Sequence, residues 1–165
     1  MKIRAETAED NEAIAHLIRA AFALAEHASG QEARIVERLR AADRLTLSLI
    51  AEDGGHVVGH AAFSPVTISD GSTGWYGLGP VAVLPGCWRR GVGRSLVDQG
   101  LQELRAIGAR GCVVLGDPAY YRRFGFRAGP DLVLPGVPGE YFQSLRLRRD
   151  AAAKGVVAYD AAFED

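Results

Sequence analysis

The stretch Leu78-Gly79-Pro80-Val81-Ala82-Val83-Leu84-Pro85-Gly86-Cys87-Trp88-Arg89-Arg90-Gly91-Val92-Gly93-Arg94-Ser95-Leu96 decides how the rest of the chain is read. It runs from apolar, strand-like residues through a glycine-rich loop into a segment with Leu96, Val97, Gly100, Leu101, Leu104 and Ile107 at helical spacing. A strand, a tight turn and a helix start together present the unbonded amides of a first helical turn and the positive end of its dipole. Arg89, Arg90 and Arg94 add guanidinium groups at the same place. The combination predicts a phosphate-binding loop. Glycine supplies 20 of the 165 residues, and seven of them lie between Gly71 and Gly93. Backbone there must turn sharply or lie close to something else.

Two familiar phosphate loops do not fit. Gly86 and Gly91 have the spacing of a P-loop, but Val92 stands where that loop needs its lysine. A dinucleotide fingerprint needs a small residue where Leu96 stands, and it opens a βαβ unit instead of following a run of hairpin strands.

Working outward, Ile3-Arg4-Ala5 reads as a short strand, and Thr7 with Asp10 as a helix cap. A helix is predicted over 11–24, broken at Glu26-His27-Ala28-Ser29-Gly30. A second follows, with Ile35, Val36 and Leu39 on its apolar face. Strands are predicted over 45–52 and 56–68, joined by the hairpin signal Asp53-Gly54-Gly55 and interrupted at Pro65, then over 75–84. After the loop, Gly100 in mid-helix marks a close-packing point against the sheet, and Gly108 suits the position past the helix end. Cys112-Val113-Val114-Leu115 is a buried-type strand. Asp117-Pro118 opens a short helix as N-cap and first helical residue. Late strands are expected over 141–147 and 156–159. The order β-αα-βββ-α-β-α-ββ predicts one α/β (α+β) domain over residues 1–165, a mixed, mostly antiparallel sheet with helices on both faces.

Charge excludes some functions. Lys plus Arg number 19 and Asp plus Glu 20, a formal net charge of -1, so bulk electrostatics argue against a nucleic-acid binder. No apolar run is long enough to span a membrane, and residues 1–6 carry no signal-type apolar stretch, so a cytoplasmic protein is expected. Cys87 and Cys112 cannot build a disulfide framework or a four-ligand zinc site; Cys87 reads as an incidental loop thiol and Cys112 as core, and no metal is expected.

The quoted stretch resembles the acetyl-CoA-binding motif of the GNAT N-acetyltransferases. Downstream, Gly116-Asp117-Pro118-Ala119-Tyr120-Tyr121-Arg122-Arg123-Phe124-Gly125-Phe126 is similar to the family's second motif, above all in its YhbS-like bacterial branch. The resemblance covers nearly the whole chain and implies an acetyl-CoA-dependent N-acetyltransferase of GNAT-like fold. It implies that backbone groups of Val81 and Val83 pair with the pantetheine arm, and that an amide near Ala82 or Val83 polarises the thioester carbonyl. The amides of Arg89, Arg90, Gly91, Val92, Gly93 and Arg94 would hold the pyrophosphate, with Ser95 also at the cofactor. Tyr120 and Arg123 would also meet the cofactor, Arg123 at its 3′-phosphate. Tyr121 would protonate the leaving thiolate, as a phenol of ordinary pKa ~10 can. Trp88 stands where the family usually has Gln or Arg, and the asparagine often found ahead of the second motif is missing.

An ammonium acceptor must lose a proton, yet 78–84 carries no carboxylate or imidazole. Glu26 and His27, in the region that shapes the family's acceptor pocket, and His60 on the central hairpin are the candidate bases; a water relay is the other route. The acceptor is expected to be a small-molecule amine or a peptide or protein amine. Late strands offer edges on which a homodimer could pair. A non-catalytic acyl-CoA sensor is the alternative function, and a nucleotide-binding module the third.

Overall fold

The computed structural model describes every residue except Leu24, Glu26, His27, Ala28 and Asp165. In chain order its elements are β1 (Lys2–Ala5), α1 (Asn11–Phe22), α2 (Glu32–Ala41), β2 (Leu47–Asp53), β3 (His56–Pro65), β4 (Thr67–Ile68), β5 (Trp75–Val83), α3 (Val92–Ala106), β6 (Gly111–Leu115), α4 (Pro118–Tyr121), β7 (Leu132–Val133), β8 (Phe142–Arg146) and β9 (Gly155–Ala158). Six strands form the main sheet in the order β1-β2-β3-β5-β6-β8. Every neighbouring pair is antiparallel except β5 and β6.

Strand alternation sorts the core into two layers. Leu49, Ala51, Ala61, Phe63 and Leu78 face α3, whose Leu96, Val97, Leu101 and Leu104 close that side. Ile50, Ala62 and Ala82 face Ile14, Leu17 and Ile18 of α1 and Ala33 and Val36 of α2. Helices therefore cover both faces, as the element order implied. Two glycines let α3 lie close. A Cβ on Gly100 would stand 2.2 Å from the Phe63 ring, and one on Gly59 would stand 2.7 Å from Val92 Cγ1. The α3 N-terminus is thereby fixed beside the end of β5.

Some expectations need correcting. Pro65 belongs to β3, and the break falls at Val66, whose amide donates to Trp75 O. The expected late strands do not share one sheet. β8 extends the main sheet, while β9 pairs with β4 and β7 in a separate three-stranded sheet. That sheet covers a third cluster holding Ile68, Trp75, Val113, Leu132, Phe142 and Val157. Along the outer edge of β8, Arg127 exchanges backbone hydrogen bonds with Ser144, so part of the edge on which a homodimer could pair is already occupied. Among the described residues no helix is long and apolar enough to cross a membrane.

The feature that makes a site is a splay. Against β3, β5 runs to Val83, but against β6 it pairs only from Trp75 to Leu78. The register shifts from Phe63 opposite Leu78 to Ala61 opposite Val81, so β5 carries one residue more than its partner. Such a bulge bends and twists its strand. Beyond Leu78 one edge of β5 has no strand beside it among the described residues.

Candidate active site

Antiparallel alternation decides which groups that edge presents. Leu84 N donates to Val58 O, and Gly59 and His60 lie opposite Val83 and Ala82. Ala82 therefore spends its backbone groups on β3, while those of Val81 and Val83 turn toward the splay. Ala82 is accordingly the wrong residue for a free amide, and Val83 is the better of the two expected donors. The Val83 carbonyl already accepts from the Trp88 indole N–H at 2.8 Å. Trp88, the departure noted in the sequence, thus closes the loop back onto the strand.

The loop continues this row of backbone. Ser95 N, bonding to Gly91 O, is the first amide to close a helical turn in α3. The amides of residues 89–94 have no acceptor among the described residues. Gly91 (φ 78°) turns the chain into the helix, and Arg89 adopts φ 65°, a conformation uncommon for a residue with a Cβ. Arg89, Arg90 and Arg94 are exposed, Arg94 with Asp98 3.9 Å away. Val92 contributes its amide while its side chain is buried in the core. Ser95 has its amide committed, leaving only its half-buried side chain for a ligand.

The second motif faces the first. Asp117 caps α4, accepting from Ala119 N at 2.9 Å. Tyr120 lies against the α3 N-terminus, for a Cβ on Gly93 would stand 2.9 Å from its hydroxyl oxygen. Arg123 lies over the Tyr120 ring at 4.5 Å and donates to Tyr120 O at 2.9 Å, so its guanidinium is held at the loop's border. Tyr121 packs edge-on to Tyr120 and Phe126, with ring centroids 4.9 and 6.0 Å away. Gly116 makes room for it, since a Cβ there would stand 2.6 Å from the ring. Burial pushes the Tyr121 phenol well above its ordinary pKa.

Between these pieces lies a cavity of about 380 Å³. Gly79, Pro80 and Val81 line one side and Tyr121 and Leu115 another. Phe22, Glu32 and Ile35 close it from α1 and α2, and Leu134, Tyr159 and Phe163 from the C-terminal part of the chain. Several of these walls escaped the sequence. Ile35 was expected in the core with Val36 and Leu39, but it borders the cavity, and Ala33 takes its place inside. Glu32 was missed, although Ser29 and Glu32 have capping-box spacing, and both Ser29 N and Ser29 Oγ donate to its Oε2.

The candidate bases fare differently. Glu26 and His27 lie outside the described residues. His60 is fully buried and does not line the cavity. Its Nε2 lies 2.8 Å from Ser48 Oγ, which in turn donates to Glu6, a carboxylate held bidentately by Arg40 at 2.8 and 2.9 Å. Burial lowers the imidazole pKa to about 4. His60 is therefore a neutral structural group and not the base. Cys112 is fully buried, as expected, and Cys87 half-buried.

Comparison with known proteins identifies the fold and the family. Residues 11–126 match the model of the acetyltransferase (GNAT) family. The chain is 40% identical to the N-acetyltransferase YhbS of Escherichia coli strain K12, across 99% of this chain and 98% of that one. The crystal structure of a GNAT family acetyltransferase from Brucella melitensis in complex with acetyl-CoA superposes with a TM-score of 0.88 at 48% identity, covering 99% of this chain and 97% of that one. The E. coli YhbS structure in complex with CoA gives a TM-score of 0.91 at 38% identity, over 99% and 92%. Sequence and fold are thus shared with relatives crystallised with acetyl-CoA and with CoA, and this chain belongs to the GNAT family of acetyltransferases.

Proposed function

We propose that the protein uses acetyl-CoA as acyl donor and acetylates a primary amine by direct attack within one complex. What carries this reading is two stretches of backbone without partners among the described residues, the β5 edge at Val81 and the Val83 amide and then the amides of residues 89–94, with Tyr121 across the cavity from Val81. The Brucella melitensis and E. coli relatives crystallised with acetyl-CoA and CoA support it.

Acetyl-CoA supplies a thioester whose carbonyl carbon an amine can attack and whose thiolate can leave. The chain's own groups do the rest. Amides 89–94, with Arg89, Arg90 and Arg94 around them, hold the diphosphate. Tyr120 and Arg123 border the same region. The splayed edge offers the Val81 amide and carbonyl and the Val83 amide to the pantetheine arm, as an added strand would. An amide on that edge polarises the carbonyl at the point where negative charge grows. Tyr121 donates its phenolic proton to the departing sulfur, and the amine nitrogen loses its proton to water as the C–N bond forms and the C–S bond breaks. Burial keeps the phenol protonated at neutral pH, so the proton is in place when the sulfur departs.

Calorimetry and thermal melting with acetyl-CoA, CoA and ATP test the donor, and thiol release across pooled primary amines tests the transfer. Acetyl-CoA is expected to raise the melting temperature more than ATP does, and at least one amine pool to release CoA. Binding without release from any pool would instead support a sensor of acyl-CoA. Neither heat nor a melting shift would overturn the reading altogether.

A further inference from the structure

We propose, resting on the acetyltransferase reading above, that the acceptor is a primary amine on an apolar, ring-sized body, and that Glu32 is the residue that receives its ammonium group. The cavity in front of Val81 and Tyr121 is walled from the far side by Phe22, Ile35, Leu134 and Phe163. Glu32 is the one charged side chain among the described residues that line it. Its Oε2 is pinned by both the amide and the hydroxyl of Ser29, which sets the carboxylate at the first turn of α2, and Oε1 has no hydrogen bond among the described residues. One half-bonded carboxylate at the edge of an apolar chamber suits a single cation attached to apolar surface. It suits other amines poorly. A polyamine or an aminosugar would bring further charges and hydroxyls against Phe22, Ile35 and Phe163, where they find no partners among the described residues. A peptide N-terminus would bring backbone amides to the same walls. Burial of an aromatic or branched aliphatic body there supplies the affinity, and the carboxylate orients the nitrogen toward the β5 edge.

Steady-state thiol release at saturating acetyl-CoA, with phenethylamine, spermidine and an alanine-leading tetrapeptide as acceptors, tests this. Phenethylamine should show a kcat/KM about tenfold or more above the other two. Glu32→Gln should raise the phenethylamine KM about tenfold or more, as loss of a charged hydrogen-bond partner does. It should leave kcat within about threefold and the acetyl-CoA melting shift unchanged. Phenethyl alcohol, which carries the same body without charge, should inhibit the parent and Glu32→Gln equally; a collapsed pocket would lose it. Ile35→Asp, at a half-buried wall position, should move preference toward spermidine. Preference for spermidine or the peptide in the parent protein, or an unchanged KM in Glu32→Gln, overturns the assignment while the donor reading stands. Failure of acetyl-CoA to shift the melting temperature overturns both.

Discussion

Acidification from pH 7 to pH 4 should weaken the fold through one imidazole. Ser48 has a single hydroxyl proton and gives it to Glu6, so its oxygen accepts from His60 Nε2–H. That fixes the tautomer and leaves Nδ1 as a buried lone pair, without a hydrogen-bond partner among the described residues. A second proton would place a charge in the core with no acceptor. Burial accordingly lowers the His60 pKa from 6.5 to about 4, opposed by Glu6 and assisted by Arg40. The unfolded chain binds this proton below pH 6.5, whereas the folded chain resists it until about pH 4. Stability is therefore full above pH 6.5 and falls through that window as pH is lowered. A shift of this size corresponds to about 3 kcal/mol, or a melting-temperature loss of roughly 6–12 °C for a chain of this length. Urea unfolding of the parent and of His60→Gln at several pH values would read it. The variant, which keeps a donor for Ser48 but cannot titrate, should show a flatter profile between pH 6.5 and 4. An NMR titration of the His60 ring should find it neutral at pH 6. Parallel profiles for the two proteins, or a ring midpoint near 6.5, would refute the reasoning.

Tyr121→Phe keeps the ring that packs on Tyr120 and Phe126 and removes only the proton donor. Thiol release should drop about 100-fold, with acetyl-CoA binding and the melting temperature nearly unchanged. Gly100→Ala would push a methyl group into the buried Phe63 ring; despite the better helix propensity, denaturant unfolding should show a loss of about 1–3 kcal/mol. Replacing Arg89, Arg90 and Arg94 together by Ala should weaken acetyl-CoA binding in low salt and flatten its salt dependence, because the guanidinium groups are exposed while the amides remain; calorimetry at two ionic strengths checks both.

The loop and the second motif were legible because each is built locally. Gly91, Gly93 and the arginines carry their chemistry within a few residues, and Asp117-Pro118 announces a helix start by itself. Sheet pairing was less visible. The splay depends on how far β6 follows β5, a relation between residues as distant in sequence as Trp75 and Gly111 that leaves no periodicity in either strand. β4 and β7 are two residues each, too short to alternate, so the separate sheet that draws β9 away from the main one left no trace. Ile35 and Val36 are neighbouring apolar residues on one helix. Periodicity places both near the core side, and only the packed structure shows that Ile35 faces the chamber. Tyr159 and Phe163 reach that chamber from the chain's far end, where sequence offered a strand and nothing more. Trp88 looked like an erosion of the loop pattern until its indole was found bonded to Val83 O.

The two halves of the cleft are made of different material. One side is peptide backbone, an exposed strand margin and a helix start, which almost any side chain can furnish. The opposite side is written in the individual side chains of α1, α2 and the C-terminal segment. Mutation can redraw that second surface one residue at a time and scarcely disturb the first. A lineage with this architecture can change what it modifies while keeping the reagent with which it does so.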